Sequence, residues 1–229
     1  MIKTPKLLIA ALSLAAVFSS PAAEVAKSGA EVGKWTQDYA AAAELAKEKS
    51  LPILLNFTGS DWNGWCKLMD ATIFSKPDWA AYAAESLVLV TIDFPKDDSI
   101  VPPDFVARNE ALSSKFGVET YPTFIILESD GTTQLGKLGA GQGKTADSFT
   151  AEVDGILAYR QSAIEARAAE LGEEKGKEYV AAITALKEAE AGLLSWLASK
   201  PESNEASNKK FAEFQEAIAV ARKKLEPFD

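Results

Sequence analysis

Histidine is missing from this 229-residue chain, and cysteine occurs only once. Without imidazole, Ser-His and Cys-His nucleophile pairs, histidine acid/base steps and the commonest transition-metal ligand are all excluded. The lone thiol, Cys66, has no partner for an internal bridge, so any disulfide made here joins the chain to another molecule. Positive charge is scarce as well: 24 Lys and Arg stand against 33 Asp and Glu, a net charge of −9. That balance repels nucleic acid and anionic lipid. Long apolar runs are lacking too, since Leu7 to Phe18 falls short of the roughly 20 residues that a membrane-spanning helix needs.

What is present starts with Met1-Ile2-Lys3-Thr4-Pro5-Lys6, that apolar run, and the exit Ser19-Ser20-Pro21-Ala22-Ala23. A basic start, a short apolar centre and small residues at the exit predict a secretory signal peptide over residues 1–22, cleaved after Ala22. Cleavage removes Lys3 and Lys6 and no acids, leaving 22 basic against 33 acidic residues, a charge of −11. The expectation is an exported protein, periplasmic or extracellular, with no membrane association after cleavage.

Residues 23–34 are small and polar and are expected to form a flexible lead-in. From Trp35 the apolar positions Trp35, Tyr39, Ala42, Ala43 and Ala46 follow helical spacing. Leu51 to Phe57 and Leu87 to Ile92 are apolar runs of the kind expected for strands buried on both faces, with a helical stretch broken at Pro77 between them. That order predicts a parallel βαβ unit. Lys96 to Pro103 is expected as a loop, Asp104 to Phe116 as a helix, and Thr120 to Leu127 as a third strand. Asp130-Gly131 is a hairpin turn into a returning strand, Thr132 to Lys137. The four glycines from Gly136 to Gly143 are expected to form a flexible exit.

Beyond Thr145, Ala, Glu and Lys dominate. Val153, Ile156, Leu157, Ile164, Ala168 and Leu171 mark one helix. Tyr179 to Leu197 and Phe211 to Leu225 follow near-heptad rhythms, which predict an antiparallel helical hairpin turned at Pro201 to Ser207.

The stretch Gly59-Ser60-Asp61-Trp62-Asn63-Gly64-Trp65-Cys66 follows the first buried run, and Pro122 opens the third strand after Phe116-Gly117-Val118. Together with the Asp130-Gly131 hairpin, these features resemble the thioredoxin superfamily over about residues 35–140, and most closely its exported bacterial members. The resemblance implies an α/β thioredoxin-like fold, a central mixed β-sheet flanked by helices, followed by the C-terminal α-helical hairpin. The expected division is a signal peptide at 1–22, the lead-in at 23–34, the thioredoxin-like domain at 35–146 and the helical extension at 147–229. It also implies a cis proline at Pro122 facing the active turn, with the neighbouring backbone pairing with an incoming peptide.

Relatives carry two cysteines separated by two residues, at the positions of Asn63 and Cys66. Here the attacking position is Asn, and a carboxamide has no nucleophilic or redox role. Asn56 stands where the family holds a buried acid, and Leu89 about where its lysine partner would be. Two functional classes therefore remain open. One is a non-catalytic module that holds extended peptide or protein through Trp62, Asn63, Gly64, Trp65, Tyr121 and Pro122. The other is a monothiol oxidoreductase or isomerase-like enzyme in which Cys66 forms mixed disulfides with its client.

Each feature also has a plain structural role. Asn63 suits a helix N-cap, the tryptophans can pack the turn onto the sheet, and Cys66 can be a partly buried residual thiol. Gly139 to Thr145 resembles a phosphate-binding loop, but the frame requires Gly at 138, where Leu138 stands. Asp93, Asp97, Asp98 and Asp104 do not follow the spacing of a calcium loop and read as a solvated acidic loop. No cofactor or metal is expected. Homo- or hetero-oligomers through the C-terminal helices are expected as a further possibility.

Overall fold

A computed structural model describes residues 25–228; the predicted signal peptide lies outside the described residues. The elements are β1 (Trp35–Thr36), α1 (Tyr39–Lys49), β2 (Ile53–Thr58), α2 (Gly64–Met69), a π-helical turn (Asp70–Phe74), α3 (Pro77–Ser86), β3 (Val88–Asp93) and α4 (Pro103–Lys115). They continue with β4 (Thr123–Leu127), β5 (Gln134–Gly139), α5 (Ala146–Leu157), α6 (Gln161–Leu171), α7 (Glu173–Ala198), α8 (Glu205–Lys223) and a 3₁₀ turn (Glu226–Phe228). Five strands form one mixed sheet in the order β1-β3-β2-β4-β5. β1, β3 and β2 run parallel, whereas β4 and β5 pair antiparallel.

Alternation along the strands sorts side chains onto two buried faces. Leu54, Leu89, Phe124 and Ile126 pack with Phe74, Trp79, Phe149 and Val153 on one face. Ile53, Leu55, Phe57, Val90, Ile92 and Ile125 pack with Ala42 and Ala46 of α1 and Leu112 of α4 on the other. The hairpin forms where Asp130-Gly131 predicts it. Gly131 takes φ +69°, and the Asp130 carboxylate accepts from the Thr133 hydroxyl and from the backbone N–H groups of Thr132 and Thr133. The Thr133 hydroxyl and these amides hold the Asp130 pKa down to about 2.

Several expectations are corrected. Trp35 is not helical but pairs with Leu89 at the sheet edge. Residues 25–34, expected as a flexible lead-in, are hydrogen-bonded to the domain through Ala26 N–H to Trp35 C=O and Gly33 N–H to Leu87 C=O. Gly136 and Gly139 belong to β5 rather than to a flexible exit. The single helix expected after Thr145 is broken at Ala158–Arg160 into α5 and α6. α5 sends Phe149 and Val153, both fully buried, into the sheet's aromatic cluster. The boundary expected at 146/147 thus falls ahead of a helix that packs with the sheet.

The break is braced. Arg160 donates through Nε and Nη2 to the Glu128 carboxylate and through Nη2 to the Ser50 carbonyl. α6, α7 and α8 then share a separate small core of Ile164, Tyr179, Ile183, Leu186, Ala221 and Leu225. Gly176 of α7 lies so close to α6 that a Cβ would sit 2.3 Å from the Ala168 carbonyl oxygen. α7 and α8 are antiparallel, with Gly192 against Phe214, Trp196 against Phe211, and Glu190 paired with Arg222. No helix among the described residues is long and apolar enough to cross a membrane.

Candidate functional site

β2 delivers the chain at Thr58 into the turn that precedes α2. Asn63 caps that helix: its Oδ1 accepts from Trp65 N at 2.9 Å and Cys66 N at 3.2 Å. A cap of this kind contributes about 1 kcal/mol. The same carboxamide donates from Nδ2 to the Tyr121 carbonyl at 3.2 Å. Asn63 therefore ties the helix start to the peptide unit ahead of Pro122, and the Tyr121–Pro122 bond is cis.

Cys66 is 6% exposed, and its Sγ accepts from Gly59 N at 3.4 Å. It faces inward, lining a cavity of about 320 Å³ with Asn56, Thr58, Ser60, Lys67 and Asp70. Asn56 Oδ1 is buried there with no protein partner. Leu89 is buried in the aromatic cluster on the same face of the sheet, with Trp35 and Phe74. Neither position offers a titratable group to the thiol. Burial raises the Asp70 pKa above the usual carboxylate range.

The outer wall is aromatic. Trp62 lies over Gly59, where a Cβ would meet its ring at 2.5 Å. Its indole N–H donates to the Phe94 carbonyl at 2.8 Å, and its ring meets Tyr121 edge-on at 6.1 Å. Phe94 stacks on Tyr121 with ring centroids 5.2 Å apart. Trp62, Trp65 and Leu68 remain 40%, 48% and 41% exposed. Beside Trp65 runs a groove of about 410 Å³ between that ring, Tyr121-Pro122 and residues Lys137 to Ala140 at the end of β5. Gly64 adds no bulk, with open space where its Cβ would be. The structure thus brings Trp62, Asn63, Gly64, Trp65, Tyr121 and Pro122 to one face, with the Cys66 sulfur behind it.

Sequence reasoning missed three participants. Asp93, read as part of a solvated loop, is 4% exposed and accepts from the Ser60 N–H and hydroxyl. Burial pushes its pKa up, against the pull of those Ser60 hydrogen bonds. The only signal was its place at the end of an apolar run. Phe94 and Lys137 had no sequence signal, because they reach the site from the end of β3 and from β5, both distant in sequence from the turn.

A single sheet of this order, with a helix entered from β2 and a cis proline opposite, defines a thioredoxin-like protein. A family model described as a thioredoxin-like domain matches residues 39–154, and the chain belongs to that family. It is similar to the disulfide bond reductase DsbH of Chlamydia pneumoniae, with 31% identity over 124 residues, or 54% of this chain and 73% of that protein. It is also similar to the thioredoxin-related protein DsbJ of Chlamydia pneumoniae, 32% identical over 96 residues, covering 42% of this chain and only 27% of that one. A solved structure described as DsbH oxidoreductase superposes with a TM-score of 0.51 at 30% identity, covering 58% of this chain and 88% of the other. α6, α7 and α8 lie beyond the residues matched by the family model.

Proposed function

We propose that this is an exported, periplasmic or extracellular thioredoxin-like module that holds extended polypeptide at the groove beside Pro122 and does not cycle a dithiol. Trp62, Asn63, Gly64, Trp65, Tyr121 and Pro122 form the contact face. The helical extension serves to hold a partner or a second copy. One observation carries this reading. Asn63, at the position of the attacking sulfur, is committed to the α2 cap and to the Tyr121 carbonyl, while the sole thiol is buried behind it. With one sulfur, an intramolecular disulfide cannot form, so electrons cannot be passed and stored within the turn.

A second reading is favoured by the similarity to DsbH, a disulfide bond reductase. In it, the Cys66 thiolate attacks a client disulfide, forms a mixed disulfide and releases a client thiolate. A thiolate from a third molecule then attacks the client sulfur, forming a new disulfide with the client and releasing Cys66 as thiolate.

Insulin-disulfide reduction separates the two. The binding module predicts no turnover by the native chain, turnover after Asn63→Cys, and slow alkylation of Cys66 until the protein is unfolded. Turnover by the native chain at the rate of the Asn63→Cys variant would overturn it.

A further inference from the structure

The one charged residue that lines the groove, Lys137, is opposite in sign to the chain as a whole. Three lysines border the aromatic face, and none of them makes an ion pair among the described residues. Lys137 donates to the Gly117 carbonyl at 3.0 Å and Lys67 to the Asp61 carbonyl at 2.7 Å. The Lys96 ammonium sits 5.7 Å from the centre of the Trp62 ring. Carbonyls and an indole face orient these ammonium groups without cancelling their charge.

None of the neighbouring carboxylates lines the groove. Asp61 accepts from the backbone N–H groups of Lys96 and Asp97. Asp93 is buried beneath Ser60, Asp97 is bound to Ser99, and Asp70 lines the inner cavity. Glu119 is exposed but is not among the residues that line the groove. Lys137 is the one charged side chain that lines it.

The charge of −11 on the cleaved chain, 22 basic against 33 acidic residues, does not reverse the sign at the groove. At physiological salt, charges more than about 8 Å away are largely screened. A ligand lying in the groove therefore senses Lys137 more than the distant acidic surface.

We infer that the groove selects extended polypeptide segments in which an acidic side chain neighbours an apolar or aromatic one. Lys137 receives the carboxylate, and Trp62 and Trp65 take the apolar neighbour. This rests on the peptide-binding reading above and adds the chemistry of the partner. The lysine is a specificity determinant, not a source of bulk affinity, because an exposed ion pair contributes modestly.

The test is fluorescence anisotropy of the full mature chain with three short labelled peptides that differ only in carrying Glu, Gln or Lys beside a central Phe. The Glu peptide is expected to bind about threefold tighter than the Gln peptide and about tenfold tighter than the Lys peptide at physiological salt. Both ratios should fall toward one in roughly 1 M salt. Lys137→Gln should erase the Glu-over-Gln preference, and Lys137→Glu should invert the Glu-over-Lys order, while circular dichroism stays native. Equal affinity for the three peptides, or a preference untouched by both Lys137 variants, overturns the charge selection and leaves groove binding standing. Absence of binding by every peptide overturns the groove reading together with it.

Discussion

In the sheet-bearing half, Phe74, Trp79, Phe124 and Phe149 meet edge to face with ring centroids 5.0–5.6 Å apart. In the helical half, Trp196 meets Phe214 and Phe211 at looser distances of 5.9 and 6.4 Å. The first cluster is closed by the sheet on one side and by α3 and α5 on the other. The second lies between two helices alone, because α6 packs only against the base of the α7/α8 pair. Leu194 is consequently 67% exposed and Phe211 37%. Similar residue types thus reach different burial according to the number of layers around them, since a helix pair has no third element to close its apolar stripe. Stability should be concentrated in the sheet-bearing half.

The sharpest way to break that comparison is Phe149→Ala. Removing a fully buried ring from the closed cluster should cost about 3–5 kcal/mol, read from urea unfolding followed by near-ultraviolet circular dichroism. A cost comparable to that of a surface residue would mean that α5 belongs energetically with the helical half.

Arg160→Ala probes the junction between the halves and should cost about 1–2 kcal/mol, given its partly buried hydrogen bonds to Glu128 and Ser50. Hydrogen bonding to Arg160, opposed by partial burial and reinforced by the Ser129 amide, holds the Glu128 pKa below the usual carboxylate range. A carboxylate depressed in the folded state stabilises above its unfolded pKa and loses that contribution as pH falls through its folded value. The difference between wild type and Arg160→Ala should therefore be full at neutral pH and shrink on acidification. A pH-independent difference would assign the brace to packing.

Leu194→Gln should move the urea midpoint least, by an amount equivalent to under about 0.5 kcal/mol. A larger loss would show that the open end of the hairpin is covered in solution.

The same contrast explains what could be read from the sequence. Strands β2, β3 and β4 were legible because burial on both faces demands unbroken apolar runs, and the Asp130-Gly131 turn because its backbone requires such residues. Trp35 misled because Trp35, Tyr39 and Ala42 keep helical spacing, while the pairing of Trp35 with Leu89 spans a long stretch of chain. Nothing at Ala158–Arg160 announces a helix break through Gly or Pro; its brace is formed by Glu128 and Ser50, far away in sequence. At the site, the capping role of Asn63 was legible from its residue type. Its bond to Tyr121 was not, nor was the burial of Asp93, because both depend on how distant strands register.

The seating of Trp62 has one more consequence. Held by Gly59 beneath it, the Phe94 carbonyl at its nitrogen and Tyr121 at its edge, the indole has surrendered its rotamer freedom during folding. Freezing such a side chain on association would otherwise cost about 0.5–1.5 kcal/mol. An arriving chain thus meets a preorganised wall, and the entropy of arranging it is not charged against affinity.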